Sequence, residues 1–145
     1  IDNNPGLLNQ PMRVFGHYGV VYLLDGRGLY FDENGYEQEV AQGDLMFLFP
    51  DVAHSYGPRS GEFWNEFYIG FDGPIFDLWR DLGLLDSSRP VHHLEPVNVW
   101  LQKLQDAVPM ERPQSEAENT VEISRFATLL AEMLQQRDSL APHDW

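Results

Sequence analysis

The sequence contains no cysteine. A disulfide framework and a thiolate metal site are therefore excluded, any metal chemistry would have to use His, Asp and Glu, and a reducing, cytoplasmic location is expected. Basic residues are scarce: 9 Lys and Arg stand against 23 Asp and Glu, a formal net charge of -14. A field of that sign repels phosphate backbones, so this chain is not expected to touch nucleic acid by itself. Long hydrophobic runs are missing too. Stretches such as VVYLL and LMFLF fall far short of the roughly 20 residues that span a bilayer, and no basic-then-apolar leader precedes a small-residue cleavage site. No membrane partner is expected. Gly-rich phosphate loops, nucleophile elbows and cysteine nucleophiles are absent as well, which leaves no catalytic residue to name and no cofactor to expect. The chain opens on Ile and closes on APHDW, which reads as a piece of something longer ending at the start of a linker.

What is present is a switch of period. A chain of 145 residues is ordinarily one domain, and from about residue 12 to 71 it shows short apolar or alternating runs between turn residues, the pattern of a β-sandwich or barrel. VVYLLDG (20–26) is a strand closed by Asp25-Gly26. LYF (29–31) leads through Asp32-Glu33-Asn34-Gly35, whose Asn-Gly pair supplies the positive φ angles of a tight hairpin, into YEQEV. Gln42-Gly43-Asp44 turns into LMFLF, apolar on both faces and so covered on both. His54-Ser55-Tyr56-Gly57 follows, and FWNEFYIGF (63–71) is the last long strand. After Asp72-Gly73-Pro74 the period becomes roughly 3.6. Ile75 to Leu82 reads as a short helix, Pro90 to Leu94 as a brief strand, and Val97, Trp100, Leu101, Leu104 and Val108 as a helix stripe stopped by Pro109. Ser115 with Glu118 is a capping-box signal for a helix over about 115–137. Ile123, Phe126, Leu130, Met133 and Leu134 line one side of it, as core packing or, in the sharper reading, as a dimerisation surface.

Alternation divides the last long strand into two sets. Phe63, Asn65, Phe67, Ile69 and Phe71 form a nearly apolar face, suited to packing beneath the C-terminal helices. Trp64, Glu66, Tyr68 and Gly70 form an aromatic face with a carboxylate in it, the mixture that suits a sugar or similar polyol. The plainer alternative puts Glu66 at the rim, in water or paired with Arg13 or Arg27. His17 and His54 could meet across a barrel, but a catalytic metal site needs about three protein ligands, and Gly19 stands where a paired histidine would help. No metal ligand is assigned. His92 and His93 are read as surface residues and His143 as part of a tail.

Taken together, VVYLLDGRG, the DENG hairpin, QGDLMFLFPDVAHSYG and EFWNEFYIGFDGP resemble the N-terminal sensor domain of AraC-type transcription regulators, a branch of the cupin superfamily. The resemblance covers nearly the whole chain. It implies a mainly β fold, a cupin jelly-roll barrel followed by two or three helices that pack on it and mediate dimerisation, with residues 1–94 as barrel, N-terminal arm and short helix, and 95–140 as the helical dimerisation subregion. It also implies a small-molecule effector inside the barrel, a homodimer, and DNA contact only through a C-terminal domain absent from this chain. By motif match the ligand-binding residues would be Arg13, Tyr56, Glu66 and Tyr68, with His54 and Trp64 beside them. The segment IDNNPGLLNQP is polar and Pro-containing, able to act as a lid. Metalloenzymes of the superfamily carry a His-x-His pair, a carboxylate and a further His; here His17 and His54 match but the paired histidine and carboxylate do not. A metal-dependent isomerase or dioxygenase therefore stands as the alternative, and a ligand-free interaction module as a third reading.

Overall fold

In the computed structural model, residues 2–4, 11–108 and 114–139 are described. The proposed lid beyond residues 2–4, Pro109 and the tail with His143 lie outside them. Chain contacts divide the protein into two compact units, with the boundary between His93 and Leu94.

The first unit is built from two antiparallel sheets. Strands β1 (Asp2–Asn4), β2 (Tyr18–Asp25), β5 (Asp44–Leu48), β7 (Trp64–Phe71) and β8 (Val91–His93) form one, in the order β1-β7-β2-β5-β8; β3 (Arg27–Asp32), β4 (Glu37–Ala41) and β6 (His54–Gly57) form the other, in the order β4-β3-β6. Side chains from both meet in a single apolar cluster: Val21, Leu23, Met46, Leu48 and Trp64 from the larger sheet, Tyr30 and Val40 from the smaller. Each such fully buried aliphatic side chain is worth about 1.5–3 kcal/mol, so this inter-sheet layer holds the sandwich shut. Strand β2 lies in the centre of its sheet and its first six residues are buried, which is why VVYLL shows no alternation. The mainly β fold expected from the sequence, with helices after it, is the one observed.

Helix α1 (Pro74–Asp81) packs on the outer face of the larger sheet at Tyr18 and Phe71. Tyr18 stacks on Phe71 at 5.5 Å, Phe71 meets Phe76 edge-on at 4.7 Å, and the Tyr18 hydroxyl donates to Asp77 Oδ1 at 2.6 Å. Burial, helped by the Asp77 carboxylate, pushes the Tyr18 phenol up to about 12. Phe71 of the expected packing face thus lies against α1, whereas Phe63 precedes β7 and is 60% exposed.

Two local expectations need correction. In the β3–β4 hairpin only Gly35 has positive φ (85°), and no non-glycine residue does. Gly35 N–H donates to the Asp32 carbonyl at 3.1 Å, so the connection is an ordinary turn followed by a left-handed glycine, a longer loop that spares Asn34 the strained conformation. His92 is not a surface residue. It is 9% exposed, and its ring lies 5.3 Å from Phe47 edge-on, because β8 pairs with β5 and turns that side of the strand inward. His93 faces the other way and binds Asp44 Oδ1 at 2.8 Å.

The second unit contains α2 (Val97–Ala107) and α3 (Glu116–Ser139), which pack on each other, with Lys103 Nζ 3.3 Å from Glu132. Ser115 caps α3: its Oγ accepts from Glu118 N–H at 3.1 Å, while the Glu118 carboxylate accepts from Gln114 N–H at 2.7 Å. Phe126, Leu130, Met133 and Leu134 are buried within this single chain and Ile123 is half-buried.

Candidate functional site

Register brings the even-numbered residues of β6 and β7 to the inner face of the barrel. Tyr30 pairs with Tyr56 and Asp32 with His54 across β3–β6, while Leu23 pairs with Glu66, Val21 with Tyr68 and Gly19 with Gly70 across β2–β7. Since successive strand residues alternate sides, His54 and Tyr56 share a side, as do Trp64, Glu66 and Tyr68. The result is a continuous wall. Phe15 meets the His54 ring edge-on at 4.5 Å, His54 stacks on Tyr56 at 5.9 Å, Tyr56 stacks on Trp64 at 6.1 Å, and Trp64 Nε1–H donates to Glu66 Oε1 at 3.0 Å.

Electrostatics follow from burial. The Tyr56 phenol is held well above its usual range by burial and then by the nearby Glu66 and Tyr68. Burial raises Tyr68 also, with Glu66 adding to it. The His54 imidazole is pushed down, chiefly by burial; its hydrogen bond to the Val52 carbonyl opposes that, Arg13 reinforces it and Asp32 opposes it. Around neutral pH the wall therefore offers two neutral phenols, a neutral imidazole and the Glu66 carboxyl group. Among the described residues no protein group hydrogen-bonds to the hydroxyl of Tyr56 or of Tyr68.

Arg13 is joined to His54 through the backbone, N–H to O at 3.0 Å one way and 3.1 Å the other. Its exposed guanidinium lies 5.3 Å from the Phe15 ring centroid. Neither Arg13 nor Arg27 pairs with Glu66, so the rim ion pair weighed from sequence is not formed. Of the predicted residues, Arg13 is at the edge and His54, Tyr56, Trp64, Glu66 and Tyr68 run along the wall.

The residues do not fit a metal. Among the described residues no three His, Asp or Glu side chains converge on one point. The Phe15 ring lies against both His17 and His54, at 5.7 and 4.5 Å, and His17 Nδ1 is occupied by the Tyr18 carbonyl at 2.8 Å. Gly19 does other work here. A Cβ there would come within 3.1 Å of the Tyr68 ring, and one at Gly70 within 3.0 Å of the Tyr68 hydroxyl and of His17. The glycine pair lets Tyr68 lie across β2 and β7 beside a shallow groove of ≈ 360 Å³ lined by His17, Tyr68, Gly70, Phe71 and Asp72. Sequence reasoning missed Phe15 and this glycine pair. Phe15 stands two residues after Arg13, an alternation too short to be noticed without a strand around it.

The model of the AraC-like ligand binding domain family matches residues 8–134. The chain belongs to that family. As an AraC-like ligand binding domain it senses a small-molecule effector, and its two facing sheets are the jelly-roll barrel of a cupin. Comparison with curated protein sequences finds no match. Among solved structures, oxalate decarboxylase from Bacillus subtilis is 16% identical with a TM-score of 0.38, covering 66% of this chain and 25% of that one. A variant of the same enzyme is 14% identical with a TM-score of 0.38, covering 73% of this chain and 34% of that one. The chain spans about a quarter to a third of the length of these proteins, and a likeness so distant says nothing about what this AraC-like domain does. Among the described residues, no helix is long and apolar enough to cross a membrane.

Proposed function

We propose that this AraC-like domain is the effector-sensing part of a bacterial transcription regulator and that its effector is a sugar or similar polyol bound along the His54–Glu66 wall. The observation that carries the reading is the wall itself: three stacked rings ending in a carboxylate, with two phenol hydroxyls to which no described residue hydrogen-bonds. Rings supply apolar area for the C–H face of a sugar, and the hydroxyls and carboxylate orient its O–H groups. Arg13 contributes at the edge. No catalytic role is assigned to any residue, and a cytoplasmic location accompanies this reading.

Binding would act by population shift, favouring one arrangement of a homodimer or of the N-terminal segment and so altering how DNA-binding units elsewhere in the regulator are presented. Strand β1 runs beside β7 with Asp2 opposite Glu66, which supports a link between the N-terminal segment and an occupied site. Dimerisation is proposed through the helical unit. Because Phe126, Leu130, Met133 and Leu134 are buried in one chain, their first role is packing, and a second copy would meet the exposed side of α3 around Val121 and Ile123.

A thermal-shift and calorimetric screen over pentoses, hexoses and sugar acids tests the ligand class. A saturating binder at about a hundred times its Kd stabilises the fold by about 2.7 kcal/mol, which is several degrees for a domain of this size. A screen in which no sugar shifts the melt rejects the sugar reading. Sedimentation showing only monomer at high concentration rejects the dimer.

A further inference from the structure

A second groove, of ≈ 410 Å³, shares no residue with the wall. Its charged lining is Arg27, Glu39, Arg59 and Glu62, and Val40 and Ala41 supply apolar surface. Two features of the backbone build it. Arg27 lies opposite Ala41 in the β3–β4 ladder, and alternation puts Glu39 on the same side as Ala41, so these three side chains share one face. Across from them, Glu62 N–H donates to the Arg59 carbonyl at 2.9 Å, a four-residue turn that sets the Arg59 and Glu62 side chains beside each other. Gly28 lets the two parts meet: a Cβ there would stand 2.2 Å from the Gly57 carbonyl oxygen and 2.8 Å from Pro58 Cα. The four charges are not used alike. Arg59 binds Glu39 Oε1 at 3.0 Å, whereas among the described residues the exposed side chains of Arg27 and Glu62 have no hydrogen bond or ion pair.

We propose that this groove is a second small-molecule site, separate from the wall, and that it takes an α-amino acid with an uncharged side chain, its carboxylate on Arg27 and its ammonium group on Glu62. A guanidinium matches a carboxylate with two parallel N–H···O bonds, and the Glu62 carboxylate accepts from the ammonium N–H groups. The Arg59–Glu39 pair, already satisfied, flanks the ligand without competing for its ends. Val40 and Ala41 meet a side chain that carries no charge of its own. The lining charges cancel, two against two, inside a chain of formal charge -14. A plain carboxylic acid would gain Arg27 but meet Glu62 and the repulsion of the whole chain. A plain amine would gain Glu62 and leave Arg27 empty. The zwitterion answers both groups and has no net charge to repel. At ≈ 410 Å³ the groove is near the small end of ligand pockets, about 300–1,000 Å³, which suits a single amino acid.

The test is isothermal titration of the chain with the α-amino acids of uncharged side chain, each beside the amine that lacks its carboxylate and the acid that lacks its amino group. At least one amino acid binds with one-to-one stoichiometry, and removing either end weakens it about tenfold or more. Arg27→Gln and Glu62→Gln each weaken the same amino acid by a similar factor, while thermal melts of the free variants match the unaltered protein because neither side chain has a described partner to lose. Amide NMR of the unaltered protein needs no variant: the Gly28 and Ala41 signals move with the amino acid, and those of Tyr56 and Tyr68 stay. An amine or acid that binds as tightly as its amino acid overturns the proposal, as does binding that survives both substitutions, or movement at Tyr56 and Tyr68 in place of Gly28 and Ala41. Titrations that stay flat with every amino acid up to about 10 mM overturn it too. The sugar screen is read separately, so a failure here is distinct from a failure of the wall to bind sugar.

Discussion

Two polar clusters share the interior of one barrel, side by side across the β3–β6 pairing, and they are finished to different degrees. In the first, Asp32 is 5% exposed and fully engaged: Oδ2 accepts from the Tyr30 hydroxyl at 2.8 Å, and Oδ1 accepts from the N–H groups of Asn34 and Tyr36 at 2.9 and 3.2 Å. A buried carboxylate with its lone pairs satisfied is a structural clamp, and here it ties the hairpin to the core. In the second, His54 Nε2 is buried without a hydrogen-bond partner among the described residues, and Tyr68 is 39% exposed. The same residue types, a carboxylate among tyrosines, serve the fold in one place and, in the function proposed above, a ligand in the other. What separates them is the buried His54 Nε2, for which no described residue supplies a hydrogen bond.

Breaking the closed cluster carries the largest expected effect. Asp32→Ala strands the Tyr30 hydroxyl and two backbone N–H groups, and at about 1–3 kcal/mol for each buried group left unsatisfied it should cost about 3 kcal/mol or more of unfolding free energy in a urea titration. A loss below about 1 kcal/mol means the clamp is ornamental and the comparison fails. The open cluster should respond in the other currency. Glu66→Gln or Tyr68→Phe should weaken sugar affinity by about tenfold in calorimetry while the melting temperature of the free domain moves little; a large drop in stability with affinity intact would place these groups with Asp32.

The smallest effect sharpens the comparison through pH. Burial lowers the His54 pKa in the folded state below its ordinary value of 6.5. The unfolded chain therefore takes up a proton, as pH falls through roughly 6.5, before the folded protein does, so stability declines with falling pH from there down to the lowered folded value and is fully present above 6.5. The groups facing the ring are Arg13, Asp32, Phe15, Tyr56 and the Val52 carbonyl. Melting curves of the unaltered protein and of His54→Phe between pH 5 and 8 should diverge only in that window. Parallel curves would mean that His54 titrates as freely in the folded protein as in water.

The sequence makes the strands and helices readable where pattern is local. Alternation in FWNEFYIGF sorts Trp64, Glu66 and Tyr68 onto one face, and Ser115 with Glu118 marks the start of α3. What stays hidden is partnership over distance. Nothing adjacent to Asp32 says that a Tyr two residues earlier on the same strand face bends back to it while the hairpin N–H groups close round it, so DENG reads only as a turn. His92 looks like a surface residue because the strand that buries it, β5, is remote in sequence. Of the two glycines, Gly19 reads as a missing ligand and Gly70 as the last member of the aromatic face; only pairing β2 with β7 reveals that together they make room for Tyr68. The likeness to metalloenzymes fails for the same kind of reason: one histidine in a motif does not show where a second would have to stand.

The Asp32 clamp has a consequence for how such a barrel can change. Because the Asp32 carboxylate spends its hydrogen bonds on Tyr30 and the hairpin N–H groups, the β3–β4 hairpin keeps its anchor when the far end of the wall changes. Half-exposed positions such as Tyr68, 39% exposed, are thus where side chains can be exchanged at least cost to the fold, whereas His54, 3% exposed, is bound into it.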